Sequence, residues 1–462
     1  MPKPLRFNAF TMNCVSHITH GLWRHPETRQ TAYTDLDTWV ELARVLERGT
    51  FDAVFLADVV GVYDTFRGGR ETAVTEGLQI PVNDPSLLIP AMAYATEHLG
   101  FAFTQSVLQE HPYNFARRIS TLDHLTKGRI GWNIVTSYLE SAGRNLGFGG
   151  LPPHAERYQR AHEYVDVVYK LLEGSWEDDA VLRDTERLIY ADPAKIHDIN
   201  HVGKFYDVVG PHLSEPSPQR TPLLFQAGSS EDGREFAATH AEAVFLGAVS
   251  PEGATAQITD VRARAVRHGR DPGDILFFQG LTLIIGSTED EAKRKIREYE
   301  ELVSFDGFAA HLSGSIGVDL GAIDFDAPIG EIDSNGVKGF ARSLIEAEPD
   351  KKWTFGEVLR RRAWQRPLAG TPEQVADQLQ VWADAGVDGI NVMYVTTPGT
   401  FADFTDHLAP VLRERGLLKR GYAPGTLRDK LFGGARLPAR HPAATYRRVG
   451  APALADPALV AS

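Results

Sequence analysis

The sequence predicts an α/β fold in which eight parallel strands, each followed by a helix, close into a barrel. Three observations lead there. Short apolar runs alternate with longer stretches of helical period almost to the end of the 462 residues. Most of these runs are continuous rather than alternating, as strands covered on both faces must be. An open doubly wound sheet, the rival architecture, would carry a glycine-rich phosphate turn after its first strand. Here the first run leads into Asn13-Cys14-Val15-Ser16-His17, and neither GxGxxG nor GxxxxGK[ST] occurs in the chain. Eight strand–helix units close most economically as a (β/α)₈ TIM barrel.

In chain order, strands are expected at 5–12, 53–58, 100–107, 129–137, 223–229, 243–248, 275–286 and 389–396. Between them, Leu36, Trp39, Val40, Ala43 and Leu46 share one face at helical spacing, and so do Ala161, Val165, Val168 and Leu172. Helix starts are marked by capping boxes at Thr288 with Glu291 and at Thr371 with Gln374, and by Ser250-Pro251. Two polar stretches interrupt the rhythm, 173–220 and 303–366. Long excursions of this kind are expected to be lids or subunit contacts. The tail, 420–462, is rich in Arg, Pro and Gly and reads as an arm that packs on a neighbour or stays mobile. The whole chain, 1–462, is expected to be one domain.

The net charge of −13 argues against a nucleic-acid partner, which requires a clustered positive surface. No apolar run approaches bilayer-spanning length, and the first residues lack the apolar core of a signal peptide. A single cysteine, Cys14, allows no intrachain disulfide, which fits a reducing, cytoplasmic setting.

Barrel active sites lie at the C-terminal ends of the strands. Those ends read Asn13-Cys14, Asp58, Thr104-Gln105, Thr136-Ser137-Tyr138, the stretch from Gln226 to Ser230, Gly247 and Tyr394. Loops begin at strand ends, so some polarity there needs no function. A buried-strand sequence such as WNIVTSY at 132–138 needs more than that. Gly228, Ser229 and Ser230 precede a helix expected at 231–241. That arrangement offers an anion backbone N–H groups, two hydroxyls and the positive end of a dipole, although plain capping by either serine needs no ligand. His17 and His20 have the spacing of a metal pair, yet no matching second pair follows. Cys14 reads either as a nucleophile activated by a histidine or as an inert buried thiol. Asp58, closing a buried strand, needs donors or a polar ligand to offset its desolvation.

Long contiguous stretches resemble a known family. They are NAFTMNCVSH at 8–17, HGLWRHP at 20–26, FLADVVG at 55–61, QIPVNDP at 79–85, RRISTLDHLTKGR at 117–129, NIVTS at 133–137 and GPHLSEPSPQR at 210–220. The chain resembles the bacterial luciferase-like superfamily of flavin monooxygenases, in the branch that oxidises long-chain alkanes, nitrilotriacetate and dibenzothiophene sulfone. The resemblance implies FMN, as FMNH₂, at the barrel mouth, with Asp58 and Thr104 at its ring and Ser137, His154, Tyr158, Ser229 and Ser230 at its ribityl and phosphate groups. It implies a substrate side lined by Cys14, His17, Tyr63, Gln79, Tyr138 and His311. Tyr138 departs from the alkane-oxidising pattern, which has histidine there, and a strictly alkane-specific function is in doubt for that reason.

The activity implied is insertion of one oxygen atom from O₂ into a small organic molecule, by way of a flavin hydroperoxide that the protein must keep dry. The insertion carrying His311 is the expected lid. With no nicotinamide fingerprint in the sequence, a separate NAD(P)H:flavin reductase is the expected source of FMNH₂, and a homodimer or homotetramer the expected assembly. Two other activities share the barrel: cleavage of riboflavin to lumichrome, and deazaflavin-dependent oxidoreduction. A non-catalytic flavin binder is a third alternative, against which the set Cys14, His17, Tyr63, Gln79 and His311 speaks.

Overall fold

The structure is a computed structural model describing residues 4–332, 345, 348, 350–364 and 367–448. The expected insertion 303–366 and arm 420–462 thus lie partly outside the described residues. Eight strands form the barrel: β1 (Arg6–Met12), β2 (Ala53–Ala57), β3 (Gly100–Ser106), β4 (Ile130–Val135), β5 (Leu223–Gln226), β6 (Ala243–Leu246), β7 (Leu276–Ile285) and β8 (Gly389–Met393). Each pairs in parallel with the next, and β8 pairs with β1, so the sheet has no free edge. Every expected strand is present, each one to three residues short at one or both ends. A ninth strand, Leu368–Gly370, extends the far end of β7 and was not anticipated.

Phenylalanine rings fill the barrel. Phe55 packs edge-on against Phe10 and Phe225, with centroids 5.4 and 5.3 Å apart. The outer layer follows amphipathic logic. Helix α1 (Leu36–Arg48) buries Trp39, Leu42, Ala43 and Leu46. Leu36 is half-exposed, contrary to expectation, because it opens the helix before the face meets the sheet. Ala161, Val165 and Val168 are buried as expected on α2 (His154–Tyr169), and Leu172 just beyond it. Helix α3 (Glu231–His240) follows β5, and α4 (Pro251–Arg267) follows β6, capped by Ser250 with Pro251 in its first turn. Thr288 caps α5 (Glu289–Glu300), but the expected box is incomplete: Glu291 accepts from Ser287 instead. The Thr371–Gln374 box is complete.

Of the interruptions, 173–220 carries two short hairpins, pairing Val181–Asp184 with Ile189–Ala191 and His201–Val202 with Asp207–Val208. The second contributes α6 (Phe305–Ile316) and α7 (Phe355–Ala363). These build a second apolar core over the barrel mouth with Tyr63, Phe66, Leu78 and Leu139. The tail up to Arg448 packs on its own barrel. Helix α8 (Leu427–Phe432) plugs the N-terminal end, with Leu427 and Leu431 against Leu223 and Leu276. Buried Arg428 pairs there with buried Glu242 at 2.6 Å. Among the described residues, no helix is long and apolar enough to cross a membrane.

Candidate active site

Two adjoining cavities open at the C-terminal ends of the strands, one of about 260 Å³ and one of about 590 Å³. Asp58, Thr104, Tyr138 and Gly228 line both. Ser106, Ser137 and Tyr158 belong to the smaller cavity. His17, Gln79, Asn133, Ser229, Arg234 and His311 belong to the larger.

The smaller cavity is built from tightly constrained backbone. Ser137, two residues beyond β4, is in the left-handed region, with φ of 62°, and its hydroxyl lies 2.8 Å from that of Ser106. Arg157 holds the Ser137 carbonyl from behind. Register sets Thr104 opposite Asn133, whose amide donates to the Thr104 hydroxyl at 2.9 Å. That leaves Asn133 Oδ1 buried without a partner, and Gln226 Oε1 is in the same state. Unpaired buried acceptors are costly, by about 1–3 kcal/mol each, and ask for a donor. Gly228 lies between them and the start of α3. A Cβ there would sit 2.3 Å from Gln226 Nε2 and 2.9 Å from the Tyr158 hydroxyl, so only glycine leaves room. Asp58 accepts from the Val59 N–H at 2.9 Å. Burial, opposed by that hydrogen bond and helped by nearby Asp84, raises its carboxyl to about 7.

The larger cavity gathers imidazoles and phenols. Tyr63, 1% exposed, donates to Gln79 Oε1 at 3.3 Å and shares a short hydrogen bond with the Tyr138 hydroxyl. Burial raises both phenols, so they stay protonated at neutral pH. Gln79 in turn donates to the His17 carbonyl at 3.2 Å. Burial pushes His17 down to about 3 and His311 down to about 4, so both rings are neutral at pH 7. His17 Nδ1 has no partner. The His311 ring stands edge-on to Tyr63 with centroids 5.0 Å apart.

The expected site residues thus converge, with exceptions. Cys14 is buried and lines a separate cavity of about 20 Å³ with Tyr394, behind β1. Burial raises its thiol, so it stays protonated. His154 lies at the outer edge, its Nδ1 3.0 Å from Asp232 Oδ2 and its ring 5.0 Å from Tyr158. Ser230 caps α3, accepting from Gly233 N–H at 3.1 Å, while Ser229 faces the larger cavity. His20 spends both ring nitrogens on Ser16 and His311. Sequence reasoning assigned no site role to Asn133, Gln226 or Arg234, although Gln226 was read at a strand end. Polar residues inside apolar strands were the available signal for the first two.

The chain matches the family model described as luciferase-like monooxygenase over residues 14–389. It is 50% identical to the long-chain alkane monooxygenase of Geobacillus thermodenitrificans, over 97% of this chain and 99% of that one. The crystal structure of the dimethyl-sulfide monooxygenase of Hyphomicrobium sulfonivorans superposes with a TM-score of 0.91 at 47% identity, covering 96% of each chain. A riboflavin lyase structure containing modified FMN and riboflavin superposes at 0.88 with 38% identity, over 97% of this chain and 100% of that one. A mouth of polar strand ends, two contiguous cavities and these similarities lead to one conclusion: the chain belongs to the luciferase-like monooxygenase family and is an oxidoreductase.

Proposed function

We propose that the protein is a reduced-FMN-dependent monooxygenase that places one oxygen atom from O₂ on a small organic substrate. One observation carries the reading. Asn133 Oδ1 and Gln226 Oε1 are buried, unpartnered acceptors that a ring with N–H edges would satisfy, and the Gly228 turn next to them leaves room for an anionic tail at the start of α3. FMN has both features, and the residues present fit it. Asp58, Thr104, Asn133 and Gln226 would hold the ring, and Ser137, His154, Tyr158, Ser229 and Ser230 the ribityl and phosphate groups. The start of α3 would add its dipole. Bound reduced FMN supplies electrons to dioxygen.

The chain's own residues supply placement and dryness. Phe10, Met12 and Ile18 keep part of the larger cavity apolar. Neutral His17 and His311, with the Tyr63–Tyr138 hydroxyl pair and Gln79, offer hydrogen bonds and proton transfer without a resident charge. Cys14 serves as a neutral thiol behind β1. The substrate is a small alkane-like, sulfur-containing or heteroaromatic molecule. A separate NAD(P)H:flavin reductase delivers the reduced flavin, since the sequence carries no dinucleotide fingerprint.

Anaerobic titration with FMNH₂, followed by isotopically labelled O₂ and a panel of decane, dimethyl sulfide and dibenzothiophene sulfone, tests this. One labelled oxygen atom per product molecule is expected. Failure to bind FMNH₂, or hydrogen peroxide as the sole product with every substrate, sinks the proposal. A second reading, cleavage of riboflavin, is favoured by the shared wall of the two cavities, which could seat two flavins side by side. Lumichrome formed from riboflavin would establish it.

A further inference from the structure

His20 and Ser16 do not line either cavity, yet they form a chain that ends on a residue that does. Ser16 is fully buried and His20 is 1% exposed. The Ser16 hydroxyl lies 2.8 Å from His20 Nδ1, and His20 Nε2 lies 2.9 Å from His311 Nδ1. Burial and the neighbouring imidazoles keep His20 neutral. We propose that Ser16 and His20 are positioning residues that tie the tautomer of His311 to the direction of their own hydrogen bonds, so that His311 changes between giving and accepting a hydrogen bond in the larger cavity only when the whole chain reverses.

A neutral imidazole has one N–H, and a hydrogen bond between two neutral rings needs one donor and one acceptor. Two arrangements satisfy the chain. In the first, Ser16 donates to His20 Nδ1, His20 donates from Nε2, and His311 carries its proton on Nε2 as a donor. In the second, His311 donates from Nδ1 to His20 Nε2, His20 donates from Nδ1 to the Ser16 oxygen, and His311 Nε2 is a bare acceptor. A hydroxyl serves either role, so Ser16 permits both. Only the second lets His311 act as a base. A new N–H bond forms at Nε2 as the ligand loses its proton, and the charge stays on His311, whose Nδ1–H remains bonded to His20.

Backbone geometry makes the ring's role separable from docking. The His20 carbonyl accepts from Ser304 N–H, the cap residue of α6, at 2.8 Å. Gly307 on α6 has no room for a Cβ, which would lie 2.8 Å from that of His20. Gly21, with φ of 92°, lets its backbone approach to where a Cβ would stand 2.1 Å from the Leu302 carbonyl. The helix carrying His311 is thus seated by main chain at 20–21, and replacing the His20 ring leaves that contact in place.

The turnover arm of the test rests on the oxygenase reading; the spectroscopic arm does not. Nitrogen-15 NMR of the flavin-free protein reads the His311 tautomer directly. A His311 tautomer that matches the His20 tautomer is expected in the unmodified protein, and the averaged signal of a freely exchanging imidazole at His311 in His20→Leu and Ser16→Ala. With FMNH₂ and substrate, His20→Leu should lower kcat at least tenfold, with KM and FMN affinity within twofold. His20→Gln, whose amide reaches His311, should recover most of the loss. An unchanged His311 signal in the variants, or loss of FMN affinity in step with kcat, overturns the proposal. If His20→Leu does not fold, Ser16→Ala decides in the same way. If the unmodified protein binds no FMN, the oxygenase reading falls while the tautomer measurement still stands.

Discussion

At the barrel mouth His17, His20 and His311 crowd together, and burial holds all three below the ordinary imidazole range. On the outer layer His240 and His441 are just as buried and are held down for the same first reason. The clusters differ in what their nitrogens do. His240 bonds His162 through Nε2 at 2.9 Å and the Tyr169 hydroxyl through Nδ1 at 3.3 Å. His441 Nε2 lies 2.9 Å from the His240 carbonyl, and its Nδ1 accepts from Ala443 N–H. Every ring nitrogen of that buried pair is spent on the fold. At the mouth, His17 Nδ1 is spent on nothing and lies in a ring that lines a cavity. Burial and a lowered pKa therefore do not set the two groups apart, and neither does an unspent nitrogen alone, since buried His212 also leaves its Nδ1 unpaired; a ring that lines a cavity does.

The contrast breaks most visibly in turnover. His17→Leu should cost at least a hundredfold in kcat, about what loss of a general acid–base group costs, with a urea midpoint equal to or above that of the parent. A drop in stability matching a structural histidine would erase the distinction. His441→Leu should do the reverse, losing about 2–4 kcal/mol in urea unfolding through stranded partners, with kcat per folded molecule unchanged.

Acid should expose both clusters together. Their folded pKa values, about 3 for His17 and about 4 for His311 and His441, lie below the unfolded value of 6.5. Their contribution is thus fully present above pH 6.5 and is lost as pH falls toward 4 and 3. Urea midpoints at pH 7.5 and pH 5 should differ clearly, and equal midpoints would show that the rings are not held neutral. Asp58 runs the other way. Its folded pKa of about 7 lies above the unfolded 3.8, so stability falls as pH rises from 3.8 through 7. Asp58→Asn should remove that slope and gain about 1–2 kcal/mol at pH 8, read from the same unfolding curves. The smallest effect belongs to Ser230→Ala, about 1 kcal/mol for a lost helix cap, again by urea unfolding.

The barrel was legible because strands buried on both faces are continuously apolar, a local signal. Strand ends were read too long where the chain leaves the sheet at a special residue, as at Gly228 after β5. The three-residue strand Leu368–Gly370 was invisible, since its only evidence is a long-range pairing with β7. The Arg content of the tail reads as surface charge, and nothing local in the sequence marks Arg428 as buried against Glu242. Asp58, Thr104, Ser137 and Ser229 were readable as polar residues at strand ends. His20 and Gln226 could be read only as a histidine pair member and a polar strand end, and Asn133 only as a polar residue inside a strand; how their atoms are paired or left unpaired exists only once the strands lie side by side.

The plug formed by α8 bears on how the molecule is made. Glu242 stands immediately before β6, yet the cation that neutralises it, Arg428, arrives 186 residues later. During synthesis the sheet can emerge and begin to close while its floor is missing and an acidic group waits uncompensated in apolar surroundings. Only when the segment carrying Arg428 leaves the ribosome can the base seal. The segment around Arg428 is therefore a fastening rather than an appendage, and a chain released before it would keep the strand ends of the barrel mouth above an open bottom.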